Sequence, residues 1–368
     1  MENLGQDTDT WVDAWKGITP ESEIQMWDFY GGRQWILKYV PRYGKSVEAG
    51  CGLGRYVFYL SQLGLDTEGI DFSEPTIAYL NKWKRDHDLH VNFKTDDVTR
   101  LPYRDDSLSG YISLGVIEHF IEGPHRPLRE AHRVLRPGGI AIITTPSISF
   151  NVFTQKAKKI IKNKIKKVLR YKQSQETFFQ YWYRPRKLRH FVKDAGLSVT
   201  RYSGADLLYV FCERGRFTGD NLKEGSFAYK FSHLFENGFL STIGAQSVTI
   251  SIKTADEMYC FLCGRETALR ESLKKYDVPL CDECKNNRLA QFYKKNKKPS
   301  FCEQYLINPP IKPPAKQVCE FCGVEYKTHP LFEDFGFSKK VCGDCLENSE
   351  VNIILSNNHV KPVWRKRK

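Results

Sequence analysis

Two rhythms of apolar residues alternate along residues 1–255. Short runs rich in β-branched side chains give way to stretches whose apolar positions recur three and four residues apart, the pattern of strands alternating with amphipathic helices. Ser46-Val47-Glu48-Ala49 is the first strand. It runs into Gly50, Gly52 and Gly54, and a helix begins at Tyr56 with Val57, Tyr59, Leu60 and Leu63 on one face. A second strand covers Leu65–Asp71, and Ser73-Glu74-Pro75 opens a helix over Thr76–Asp86. A third strand covers Leu89–Lys94, and a fourth with its exit loop fills Asp106–Phe120. A helix from Arg129 stops at Pro137-Gly138-Gly139, and Ile140–Pro146 is a fifth, buried strand. Arg186–Leu197 is a late helix, Ser198–Tyr202 a sixth strand and Ser247–Ile252 the last. Strand–helix alternation of this length predicts an α/β, Rossmann-like doubly wound sheet.

Length and composition narrow the class. A chain of 368 residues is too long for one core and predicts several units. The spacing divides it into a helical lead-in at 1–45 and the α/β domain at 46–255, with a basic insertion at about 150–185. Cysteine modules follow at 256–298 and 317–350, joined by a Pro-rich linker at 299–316 and followed by a basic tail at 351–368. With 41% hydrophobic and 27% charged residues the sequence reads as a soluble protein, and no apolar run reaches the ~18 residues of a membrane span. Its opening residues, Met1-Glu2-Asn3-Leu4-Gly5-Gln6-Asp7, are polar and acidic and lack the features of a secretory signal. The cytoplasm is therefore the expected compartment, where eleven cysteines are held reduced or bound to metal.

The glycine bend carries the first candidate chemistry. A dinucleotide fingerprint would place its third glycine at position 55, which is Arg55. The observed spacing, Gly50-x-Gly52-x-Gly54 after Glu48, lets a ligand approach bare backbone without cradling a pyrophosphate. Asp71 stands at the tip of the second strand, where a carboxylate can accept both hydroxyls of a ribose. These residues, the Asp96-Asp97-Val98-x-x-Leu101-Pro102-Tyr103 segment, the Glu118-His119 pair and the Pro137-Gly138-Gly139 block occur in the order of the class I S-adenosylmethionine-dependent methyltransferases, which the sequence resembles over about 46–146. Ser109-Gly110 stands where that family usually carries an aspartate before the fourth strand.

The resemblance implies a set of cofactor contacts. Glu48, Gly50, Cys51, Gly52 and Gly54 would pass beneath the methionine half of S-adenosylmethionine, and Asp71 and Phe72 would take the ribose and adenine. Asp97 and Val98 would meet the adenine edge, with Leu114 beside them at the end of the fourth strand. His119 is the candidate base for an oxygen acceptor, since a neutral imidazole accepts a proton near neutral pH.

The net charge of +13 is concentrated: residues 155–190 hold 13 Lys and Arg and a single acid, Glu176. Within Lys156–Lys172 the apolar residues Ala157, Ile160, Ile161, Ile165, Val168 and Leu169 recur near helical spacing. A basic amphipathic helix fits a lid over the pocket, an anionic membrane surface or, as second choice, nucleic acid. The aromatic run Phe178–Tyr183 falls where the resembling enzymes shape their acceptor pocket. These features lead to an expected acceptor that is a lipid-linked, saccharide or small-molecule hydroxyl compound, handled in the cytoplasm or peripherally at a membrane. RNA or protein methylation is the alternative, and a non-catalytic adaptor on the same scaffold is a third.

Two cysteine clusters close the sequence. Cys260-x2-Cys263-x17-Cys281-x2-Cys284 and Cys319-x2-Cys322-x19-Cys342-x2-Cys345 both have the spacing of four-cysteine zinc sites. Two structural Zn2+ ions are expected, with all four positions of each filled by protein. A helix over Asn287–Lys295 would follow the first cluster. Cys302 has no partner pair, and His329 and His359 read as surface residues. The segment 256–368 holds 20 bases and 15 acids, so with two doubly negative zinc–thiolate centres it is nearly neutral and suits a protein partner as well as a nucleic acid.

Overall fold

The computed structural model describes residues 11–13, 15–20, 23, 33–41, 43–62, 64–87, 89, 91–148, 178–205, 245–268, 271–286, 290, 293–295, 317–318 and 325–326. The basic stretch 156–172, Cys302, His329, His359 and the cysteines Cys319, Cys322, Cys342 and Cys345 lie outside these residues.

In chain order the elements are α1 (Arg33–Tyr39), β1 (Ser46–Ala49), α2 (Arg55–Gln62), β2 (Thr67–Asp71), α3 (Glu74–Asp86), β3 (Asn92–Thr95) and β4 (Leu108–Leu114). They continue with α4 (His125–Val134), β5 (Leu135–Pro146), α5 (Pro185–Asp194), β6 (Ser198–Ala205) and β7 (Gln246–Ile252). One sheet of seven strands forms in the order β3-β2-β1-β4-β5-β7-β6. The first five are mutually parallel, and β7 inserts antiparallel between β5 and β6. Neighbouring β5 residues serve opposite faces. Ile140 and Ile142 pack into one apolar layer with Trp35, Ile36, Tyr56, Phe58 and Trp83, while Ala141 and Ile143 pack into the other with Leu128, Val134, Leu188 and Val192. Parallel strands buried on both faces become continuous apolar runs, which is why Ile140–Ile143 shows no polar alternation. Ser73 caps α3 by accepting the Thr76 N–H.

One expectation is corrected. The helix expected to run up to Pro137-Gly138-Gly139 ends at Val134, and those residues belong to the start of β5. Pro137 cannot donate to a ladder, and the β4–β5 register accordingly breaks there, jumping from Leu108↔Leu135 to Gly110↔Ile140. Gly138 is needed because a neighbouring chain segment passes over it: a Cβ there would lie 2.8 Å from the Tyr259 carbonyl oxygen. Of the helix expected over Asn287–Lys295, residues 290 and 293–295 are described: Ala290 and Tyr293 are in 3-10 conformation, Lys294 bridges antiparallel to Tyr276, and Lys295 N–H donates to Lys275 O at 2.9 Å.

The first cysteine segment is continuous with the sheet domain. Its hairpin, β8 (Glu257–Tyr259) and β9 (Glu266–Ala268), lies against the N-terminal end of β5. Met258, Phe261, Tyr276, Val278, Leu280 and Tyr293 join the same apolar layer as α1 and α2. Buried Asp277 ties the parts together: its Oδ2 accepts from Arg201 Nε of β6 at 2.6 Å and from Tyr39 OH of α1 at 3.1 Å. Tyr293 OH donates to Lys38 O at 3.1 Å.

Candidate active site

A cavity of about 350 Å³ opens at the C-terminal ends of β1, β2 and β4. Open α/β sheets place their ligands at such strand ends, and the size suits a small organic molecule. At its floor the chain leaves β1 through Gly50 and Gly52, with φ of +75° and +50°. A Cβ on Gly52 would strike the Trp15 ring at 2.6 Å, so the bend must be bare to accept the indole laid over it.

One carboxylate braces this bend and two hold the segments beside it. Asp71 Oδ2 accepts the Gly52 N–H at 2.9 Å and its Oδ1 accepts the Ser73 N–H at 3.0 Å, which joins the tips of β1 and β2. Burial nonetheless raises the Asp71 carboxyl above its ordinary range, while its backbone donors pull it back. Glu48 Oε2 accepts the Val57 N–H at 3.1 Å at the start of α2, and burial pushes its carboxyl up to about 8. Asp97 Oδ1 accepts both the N–H and the hydroxyl of Thr99 at 2.8 Å, which turns the loop after β3 toward the cavity.

Glu48, Gly50, Cys51, Gly52, Asp71, Phe72, Asp97, Val98, Leu114 and His119 all line this cavity. Gly54 does not: it faces Phe93 and Phe58, where a Cβ would lie 2.7 Å from the Phe93 ring, so its smallness serves helix–sheet packing. Asp96, the neighbour of Asp97, is turned to accept the Asp97 N–H at 2.9 Å.

The far end of the cavity is aromatic. His119 sits edge-on to Trp11, with centroids 4.7 Å apart, and to Phe179 at 5.3 Å. Its Nδ1 is 2.9 Å from Phe179 O, so the Nδ1–H donates there and Nε2 carries the lone pair. Burial lowers the affinity of the ring for a second proton, opposed by the Phe179 and Gly115 carbonyls. Beside it Glu118 is 1% exposed, and burial pushes its carboxyl up to about 8. Its Oε1 stands 3.8 Å from His119 Nε2, and its Oε2 has no hydrogen-bond partner among the described residues.

Phe179, from the aromatic run expected at the acceptor pocket, and Glu118, named beside His119 but given no role of its own, line the cavity too, and so do Trp11, Trp15, Glu23, Arg55, Val116 and Gln246, which sequence reasoning gave no place in the site. Glu23 reaches it by pairing with Arg55 Nε at 3.1 Å. Glu118 and Phe179 had readable signals, the one its place beside His119 and the other its aromatic run.

Comparison with known proteins converges on this segment. Residues 47–143 match the family model described as "Methyltransferase domain". The matched stretch holds β1 to β5 and most of the cavity wall, and the fold is the Rossmann-like methyltransferase fold. Over 105 residues the chain is 31% identical to a "Probable S-adenosylmethionine-dependent methyltransferase/" of Mycolicibacterium smegmatis, covering 28% of this chain and 39% of that protein. It is 36% identical over 98 residues to Probable tRNA methyltransferase 9B of Mus musculus, covering 26% of this chain and 20% of that one. Geranyl diphosphate C-methyltransferase of Streptomyces coelicolor A3(2) superposes with a TM-score of 0.40 at 16% identity, over 59% of this chain and 75% of that one. The matches span 24–39% of the length of the first three curated relatives.

A second constellation lies in the first cysteine segment. The sulfur atoms of Cys260, Cys263, Cys281 and Cys284 fall within 4.8 Å of one another, and Cys263 Sγ and Cys281 Sγ are 3.6 Å apart. Tetrahedral Zn–S bonds of about 2.3 Å require sulfurs about 3.8 Å apart, so the donor set fits zinc. Cys281 N–H donates to Cys260 Sγ at 3.3 Å, the kind of contact that supports a bound thiolate. Elsewhere in the described tail, Val318 pairs antiparallel with Glu325, as Tyr259 pairs with Glu266 in the first cysteine segment.

Proposed function

We propose that this protein is an S-adenosylmethionine-dependent methyltransferase whose acceptor is a small-molecule or lipid-linked hydroxyl compound, and that it carries two structural Zn(Cys)4 sites. One observation carries the reading: a bare glycine bend, braced by Asp71 through the Gly52 N–H, opens into a cavity with Asp97 and Glu48 on its walls. S-adenosylmethionine, when bound, supplies an activated methyl group. Gly50 and Gly52 would receive its methionine half, Asp71 its ribose hydroxyls, and Asp97, Val98 and Phe72 its adenine. The acidic walls favour a sulfonium over its neutral thioether product, because opposite charges attract strongly where water is scarce. Holding both reactants in line supplies much of the barrier reduction.

Native mass spectrometry and calorimetry test the reading. Retained S-adenosylmethionine or its demethylated product, a measurable heat with either, and two zinc ions per chain are expected. No heat with either nucleoside would overturn it. A second reading, RNA methylation, draws on the basic run Lys156–Lys172 and on the relatives named as tRNA methyltransferases. Retention on anionic vesicles but not on RNA supports the first acceptor class. RNA binding that falls steeply with salt supports the second.

A further inference from the structure

The cavity holds more acid than a sulfonium nucleoside uses. The strand tips follow the sheet order, so Asp97 after β3, Asp71 after β2 and Gly50–Gly52 after β1 occupy one side. Under the proposed function, that side accounts for adenine, ribose and methionine in turn. Beyond β1 lies the β4 tip, where Glu118, His119 and Phe179 gather, with Gln246 of β7 beyond them. None of these is needed by the nucleoside.

Glu118 stands out within this group. Its side chain is 1% exposed and lines the cavity, and its Oε2 meets no donor among the described residues. An unpartnered buried carboxyl oxygen is costly and calls for a partner that arrives with the ligand. The neighbouring imidazole does not answer it, since His119 Nε2 remains 3.8 Å from the other oxygen, Oε1. The His119 ring is itself held between Trp11 and Phe179, with Nδ1 bound to Phe179 O.

We propose that Glu118 Oε2 receives the O–H or N–H of the methyl acceptor and takes its proton, so that Glu118 is the catalytic base and His119 part of the wall. This rests on the methyltransferase reading. In the step, the acceptor oxygen or nitrogen forms a bond to the methyl carbon. The carbon–sulfur bond breaks with its electron pair left on sulfur, and the acceptor proton passes to Glu118 Oε2. A sulfonium and a carboxylate become a thioether and a carboxylic acid, so two charges vanish together. A water-poor cavity favours a reaction that consumes its own charges. Burial already pushes Glu118 up to about 8, so a nearby sulfonium draws it to the ionised form and turnover returns it to the neutral one. The acceptor class is thus a protic nucleophile, one with a proton on the attacking atom.

The test needs no acceptor. Sinefungin carries an ammonium where the methyl-bearing sulfonium stands, and S-adenosylhomocysteine carries a neutral sulfur there. Calorimetry at pH 7.5 compares both ligands on the full chain and on Glu118→Gln. The wild type should favour sinefungin by about 10- to 100-fold, the range of a charge-assisted hydrogen bond. Glu118→Gln should bring that ratio near one and leave S-adenosylhomocysteine affinity within about twofold. A ratio unchanged in Glu118→Gln overturns the assignment while the methyltransferase reading stands. Failure of the wild type to bind either ligand overturns both. If the thermal midpoint shows that Glu118→Gln does not fold, Glu118→Asp replaces it. It keeps the charge but withdraws it by one methylene, so the ratio must fall, and an undiminished ratio overturns the assignment.

Discussion

Glu118 and Asp277 are both carboxyl groups at 1% exposure, and the protein treats them in opposite ways. Asp277 is paired. It accepts from Arg201 and Tyr39, and the Lys38 ammonium adds a favourable charge. Glu118 keeps one oxygen without a partner among the described residues. Burial raises both carboxyls, but Asp277 has cations to oppose the shift and Glu118 has only a contact with its own backbone. The first sits where the cysteine segment meets the sheet, and there a satisfied network locks three segments far apart in sequence. The second sits at a strand tip facing a cavity. Polar groups left open in a folded protein are tolerated where a ligand will complete them.

The comparison can be broken most forcefully at the cysteine segment. Removing metal from Cys260, Cys263, Cys281 and Cys284, by chelation or Cys260→Ser, should unfold more than that segment, because its side chains share a core with α1 and α2. Structural zinc is worth about 10–16 kcal/mol in small zinc domains, so a large fall in thermal midpoint is expected. A midpoint unmoved by chelator would show that metal does not hold this core.

Asp277→Ala is the next largest effect. It removes the buried carboxylate that Arg201 Nε and Tyr39 OH donate to and should cost about 3–5 kcal/mol, read as a lower urea midpoint. S-adenosylhomocysteine affinity should stay within about twofold, since Asp277 is not among the described residues lining the cavity. Loss of affinity in step with stability would erase the distinction between the two regions.

Asp71→Ala should do the reverse. It strips the acceptor from the Gly52 and Ser73 N–H groups and should weaken S-adenosylhomocysteine by about tenfold or more in calorimetry. Equal affinity would remove Asp71 from the ribose site.

A pH slope tests the burial of the cavity acids themselves. Glu48 and Glu118 move from an ordinary value of 4.5 to about 8 on folding, so the folded state binds more protons between those values. Stability without ligand should therefore fall as pH rises from about 4.5 to 8, and Glu118→Gln should flatten part of that decline in urea midpoints. A wild-type curve rising across that window would contradict the burial of these acids.

The alternation of strands and helices was legible because each parallel strand must be apolar on both faces and each covering helix on one. The glycine bend, Asp71, Asp97 and the spaced cysteines were legible because each depends on short-range chemistry: a positive φ, a strand-end carboxylate, a turn between two thiolates. Gly54 looked like its two neighbours, yet local sequence could not say that Phe93 would press against it. The Pro137-Gly138-Gly139 block likewise read as a helix stop, whereas its spacing admits the backbone of β8. Trp11, Trp15, Phe179 and Gln246 come from segments far apart in sequence. The Asp277–Arg201–Tyr39 contact joins residues up to 238 positions apart. Sequence alone determined what the backbone does over a few residues at a time. Which side chains share a wall was decided only by tertiary packing, because burial and the pairing of charges depend on neighbours that the chain brings together only when folded.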